Sequence, residues 1–91
     1  MNTENGLKEF YCHMKLVLDE HQDRKGDSWT ADEVQWLEQR LEKEMEEFRR
    51  ESNPLKKAQE LVDVANFCMF IYHKYIDIWA EAVGKIFDKR S

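Results

Sequence analysis

Four acids in two pairs, Glu44 with Glu47 and Glu60 with Asp63, are the side chains of this sequence best spaced to do chemistry. Each pair is three residues apart, so on a helix both members lie within one turn and point the same way. Between the pairs the chain breaks at Ser52-Asn53-Pro54. A short connection favours antiparallel neighbouring helices, which folds the two pairs face to face. Four converging carboxylates repel one another unless a cation lies between them. Oxygen-only ligands suit a hard ion, Mg²⁺ or in its place Mn²⁺.

Where these acids fall on their helices sharpens the reading. At about 100° per residue, Leu37, Leu41 and Phe48 form one apolar stripe with Val34 at its edge, and Glu44 falls in its middle. A glutamate buried there without a partner is costly. Glu47 stands at the edge of the stripe, beside Arg40 and Trp36, whereas Glu42, Lys43, Glu46 and Arg49 belong to the solvated outer face. On the next segment Asp63 interrupts the largely apolar run from Leu61 to Tyr72 and shares a side with Glu60, Phe67 and Phe70. Helices rich in glutamate offer such pairs by chance, so each pair alone says little. Two pairs on consecutive helices, both intruding on apolar faces, ask for a reason.

The elements that must position these acids are all helical. Leu7, Phe10, Tyr11, Met14, Val17, Leu18 and His21 recur at helical spacing and predict a first helix over about 4–21. A polar loop follows, from His21 to Trp29. Thr30 and Glu33 make a capping box, with Trp29 and Val34 as its hydrophobic staple, so a second helix is expected from there to about Arg50. Asn53-Pro54 supplies an N-cap and a first-turn proline for a third helix to about Tyr75. Asp77 is a possible cap for a fourth, over about 77–89, with continuity from the third left open. From Val64 onward the third helix is apolar nearly all round, which requires cover on every side. The expectation is an all-α chain, a small helical bundle of about four helices in one domain over residues 1–91, associating through its helices.

Composition agrees. The chain has 91 residues, 36% of them charged and 42% apolar, with one proline and three glycines, so turn chemistry for a sheet is scarce. The net charge is −5 and no basic stripe is present, which argues against nucleic-acid or anionic-membrane partners. The N-terminal residues lack the apolar core of a signal peptide, and no apolar run approaches the ~20 residues of a membrane span. Cys12 and Cys68 stand in no metal-binding spacing. They are expected to be reduced core thiols of a cytoplasmic protein.

The segment from Trp36 to Phe48, followed by Glu60 to Phe67, resembles the MazG-like all-α nucleoside triphosphate pyrophosphohydrolases. Those enzymes are marked by EExxE, a spacer and ExxD. Here the match is Lys43-Glu44-x-x-Glu47, twelve intervening residues, then Glu60-x-x-Asp63, and the likeness covers roughly residues 21–72. It implies Mg²⁺-dependent cleavage of a (d)NTP to the monophosphate and pyrophosphate, by a helical dimer or a dimer of dimers. It implies Glu44, Glu47, Glu60 and Asp63 as metal ligands, with Glu44 and Glu47 as the expected catalytic pair. One departure is plain. Lys43 stands where the first glutamate of the motif belongs. The alternative is therefore a catalytically weakened bundle that binds nucleotide, or a partner, without turnover.

Pyrophosphohydrolysis needs the triphosphate charge neutralised and a water held in line, and metal ions can do both. His13, His21 and His73 form no constellation, and His73 reads as a bundle histidine. Arg24, Lys25 and Arg40 are candidates for the phosphate tail, although Arg40, one turn before Glu44, equally suits a salt bridge to Glu44 or Glu47. Asn66, one turn beyond Asp63, suits either a sugar or base contact or a bond between helices. Trp29 can stack on a base or serve only as the staple. A plain structural bundle with solvated acids is the third reading.

Overall fold

Among the described residues the fold is a set of three helices in which α3 is the spine. In the computed structural model, residues 2–25 and 32–90 are described, with side chains over 2–20 and 32–84. Helix α1 is Thr3–Lys25, α2 is Val34–Arg50 and α3 is Pro54–Arg90. No strand occurs among the described residues. Both α1 and α2 pack on α3, α2 the more extensively.

Local chemistry explains most of the boundaries. Asn2 opens α1: its Oδ1 accepts from the Asn5 amide at 2.8 Å. At the elbow between α2 and α3, Glu51 Oε1 accepts from the Ser52 and Asn53 amides, both at 3.1 Å. Asn53 Oδ1 then accepts from the amides of Leu55 (3.0 Å) and Lys56 (3.1 Å), which is the expected N-cap in front of Pro54. Lys57 closes the elbow from the other side. Its Nζ donates to the Phe48 carbonyl at 2.6 Å and rests 4.2 Å from the centre of the Phe48 ring. A lysine on the last carbonyls of a helix satisfies acceptors that have no partner within it.

Two expectations about helix ends need correction. The capping box requires Glu33 inside the first turn of α2, but Glu33 is itself the N-cap, with extended backbone (φ −72°, ψ 145°) and no side-chain cap bond. Its carbonyl takes the first amides of the helix, Trp36 and Leu37. Thr30 and Trp29 lie outside the described residues. The fourth helix is not separate: α3 runs unbroken for 37 residues. Tyr75 to Ile78 holds neither glycine nor proline, and an aspartate inside a helix costs less than about 1 kcal/mol, too little to stop one. At 1.5 Å per residue α3 is about 55 Å long, which matches the 56 Å longest dimension of the molecule.

Contacts descend α2 as they climb α3, so the pair is antiparallel: Phe48 meets Lys57, Arg40 lies over Phe67, and Glu38 accepts from the Tyr75 hydroxyl. Leu37, Val62 and Phe70 form the buried centre, with Phe67 edge-on to Phe70 at 5.6 Å. Helix α1 joins through Asn66, whose Nδ2 donates to the Met14 carbonyl at 3.4 Å.

This centre is small for the apolar content of the chain. Leu7, Phe10, Tyr11 and Leu16 on α1 stay exposed, as do Tyr72, Tyr75, Ile76, Ile78 and Trp79 on α3, the last 64% accessible. The surface is 7564 Å², whereas a compact chain of 11.0 kDa exposes about 5600 Å². The radius of gyration is 16.4 Å, against about 12 Å for a compact domain of this length. Cys12 and Cys68 are unbridged, as expected, but both are exposed and neither belongs to the core.

Candidate metal centre

The stripe on α2 faces α3 as its spacing predicts. Leu37 is buried, Val34, Leu41 and Phe48 are half-buried, and Glu42, Lys43, Glu46 and Arg49 are exposed. Glu44, in the middle of the stripe, is only 7% accessible. The antiparallel elbow carries α3 back past it, and the first pair of acids meets the second there. One carboxylate oxygen from each of Glu44, Glu47 and Glu60 lies within 4.8 Å of the others. Their settings differ: Glu44 is buried, Glu60 half-buried and Glu47 exposed at the edge. Asp63 stands one turn beyond Glu60, outside this group of three but near enough for its charge to act on both Glu44 and Glu60.

The electrostatics record the strain of gathering like charges. Glu44 is pushed from its ordinary 4.5 up to about 7. Burial is the main cause, followed by the charge of Glu47, a hydrogen bond with Glu47 and the charge of Asp63. The Arg40 guanidinium pulls the other way. Burial also raises Glu60, helped by Asp63, Glu47 and Glu51. Arg40 Nη2 donates to Glu44 Oε1 at 3.1 Å, and its guanidinium carbon lies 5.7 Å from the centre of the Phe67 ring.

These residues fit a divalent ion. The donors are all carboxylate oxygens, the set a hard cation prefers. Glu60 Oε2 is buried and has no hydrogen-bond partner, a state that costs free energy unless a cation or water answers it. A Mg²⁺ ion at about 2.1 Å from each ligand keeps its oxygens within about 4.2 Å of one another. The three carboxylate oxygens, all within 4.8 Å of one another, are grouped on that scale.

The remaining site expectations divide. Arg40 takes the salt-bridge role with Glu44. Asn66 takes the role of a bond between helices, 4% accessible, with its Oδ1 unpartnered. His73 is exposed on the single chain, with an edge-on contact to Tyr72 at 5.3 Å. His13 is also exposed. Arg24, Lys25, Trp29 and His21 lie outside the residues whose side chains are described. Sequence reasoning missed Lys57 and Glu51, which shape the elbow that brings the acids together.

No protein-family model, curated protein or solved structure matches the chain. No described helix is long and apolar enough to cross a membrane.

Proposed function

We propose that this chain is a Mg²⁺-dependent pyrophosphohydrolase acting on nucleoside triphosphates, with Mn²⁺ as a substitute ion. One observation carries the reading: a glutamate buried among apolar side chains, with two more carboxylates within 4.8 Å and one buried carboxylate oxygen left unanswered. The motif resemblance to the MazG-like enzymes supplies the reaction class. Glu44, Glu47, Glu60 and Asp63 are the groups that would hold the ion. When bound, it would neutralise phosphate oxygens and acidify water. Glu47, the exposed member, would orient an attacking water and accept its proton. The buried Glu44 fixes the inner side of the site.

Lys43 favours a second reading, binding without turnover, because it replaces an acid of the motif. Its side chain is exposed on the outer face of α2, away from the stripe that carries Glu44. One assay separates the two readings. Purified protein with Mg²⁺ and a panel of (d)NTPs is expected to release pyrophosphate and the monophosphate, and to lose that release with EDTA. Nucleotide binding without pyrophosphate would establish the second reading, and neither would leave a structural bundle.

We also propose that the working form is an isologous dimer or larger, with α3 near the interface. The surface in excess of a compact chain, 7564 Å² against about 5600 Å², is about 2000 Å², more than the ~800 Å² each partner contributes to a standard interface. Light scattering at micromolar concentration is expected to give at least twice the chain mass. A well-folded monomer there would refute the assembly and leave the site reading untouched.

A further inference from the structure

Arg40 differs from an ordinary surface partner of a glutamate. Arginine–glutamate pairs four residues apart on a solvated helix face are common and nearly neutral in energy. This one bonds a carboxylate that is 9% accessible, and the arginine side chain itself is 36% accessible. Its guanidinium is thus anchored inward to Glu44 at 3.1 Å and seated on Phe67 of the facing helix. A guanidinium has five N–H donors in a planar fork, and one bond to Glu44 leaves others at the rim for an external acceptor. The Phe67 ring keeps the cation at the mouth of the site even when the carboxylate is engaged elsewhere.

We propose that Arg40 is the built-in counter-cation of the acid cluster. It neutralises Glu44 while no divalent ion is present, and it is freed towards the polyphosphate of the substrate when the ion takes Glu44. The inference rests on the metal-site reading above and adds an order to it: ion first, anion second. An arginine cannot discharge by losing its proton, so it competes with a metal charge for charge. A polyphosphate approaching the unmetallated cluster meets carboxylates of its own sign, with the Arg40 guanidinium already bonded to Glu44. After the ion binds, the same guanidinium becomes a donor to phosphate oxygens, the geometry arginine suits best.

The order gives a signature that neither a surface pair nor a simple orienting residue shares. Mn²⁺ binding, followed by electron paramagnetic resonance of the free ion, and binding of an α,β-imido nucleoside triphosphate at saturating Mn²⁺ are measured on the full chain. Arg40→Met is expected to bind Mn²⁺ more tightly, on the order of tenfold, the worth of one charge-assisted hydrogen bond. The same variant is expected to bind the imido analogue more weakly by a similar factor. Arg40→Lys keeps the charge, so it should keep wild-type Mn²⁺ affinity and lose part of the analogue affinity. That second variant guards against a fold defect in the first. Mn²⁺ affinity that is unchanged or weaker in Arg40→Met overturns the proposal, because Arg40 then decorates or orients Glu44 without competing. Analogue affinity that is unchanged in both variants overturns it as well. If the wild type binds no Mn²⁺ at all, the metal-site reading falls and takes this one with it, a result distinct from either failure at Arg40.

Discussion

Glu44→Gln is expected to melt at or above the metal-free wild type and to gain almost nothing from Mg²⁺. The change keeps the shape of the side chain while removing one charge from a crowded group and one strong ligand. In the absence of metal, burial first and then the charges of Glu47 and Asp63 work against the carboxylate of Glu44, which rises to about 7. Removing the charge relieves that repulsion. In wild type, an ion that binds only the folded state adds about 2.7 kcal/mol at one hundred times its Kd. For a domain of this size that is a rise in Tm on the order of 10 °C. The variant should lose most of this rise together with pyrophosphate release. Glu46→Gln, on the exposed face of the same helix, should lose neither. Differential scanning calorimetry with EDTA and with Mg²⁺ reads both effects. Identical behaviour of the two variants would show that the acids hold no ion.

The second large effect is on pH. Glu44 has a folded pKa raised from 4.5 to about 7, so the folded state favours its protonated form. Its contribution to stability is fully present below pH 4.5 and is lost as pH rises through about 7. At 1.36 kcal/mol per unit, the loss is about 3 kcal/mol for the metal-free protein. Glu60 is shifted in the same direction and adds to the trend. Urea denaturation at pH 5 and pH 8 in EDTA should therefore give the higher unfolding free energy at pH 5. Mg²⁺ should reverse the trend, because it binds the carboxylate and expels the proton. Titration calorimetry at pH 6.5 in two buffers of different ionisation enthalpy should then report proton release on binding. A metal-free stability that rises from pH 5 to pH 8 would mean that Glu44 is ionised without penalty and the site is solvated.

What the sequence made legible followed from period and punctuation. The inward stripe of Leu37, Leu41 and Phe48, the intrusion of Glu44 into it and the Asn53-Pro54 restart are all local patterns, and each recurs in the structure. The meeting of Glu44 and Glu47 with Glu60 followed from a short connection and antiparallel packing. Less legible was anything decided by contacts between distant residues. In the sequence Asn66 suits two roles equally, and its bond to the Met14 carbonyl of α1 depends on tertiary packing. Lys57 carried no pattern of its own, since its role depends on where the Phe48 carbonyl ends up. Asp77 looked like a boundary because aspartate caps helices, yet nothing around it breaks one. Residue type alone points the two cysteines inward, and their exposure overrules it.

The far half of α3 bears on a different observable, the helix–coil balance. From Tyr72 to Glu81, Lys74 alone is even half-covered, so this stretch has little tertiary packing to hold it. Isolated helices of under about 12–15 residues are marginal in water, because nucleation is costly and most stability comes from a packed face. Whatever keeps that half wound must come largely from outside the chain or from the turns already formed towards Pro54. Ellipticity at 222 nm should then rise with protein concentration as neighbouring chains cover the rod. Diluted protein should fray from the C-terminal end inward, and exchange of its backbone amides should stop advancing near Phe70, where burial begins. The length of helix would thus be a quantity set by association, and the elbow carrying the acids would keep its shape whether or not the far end is wound.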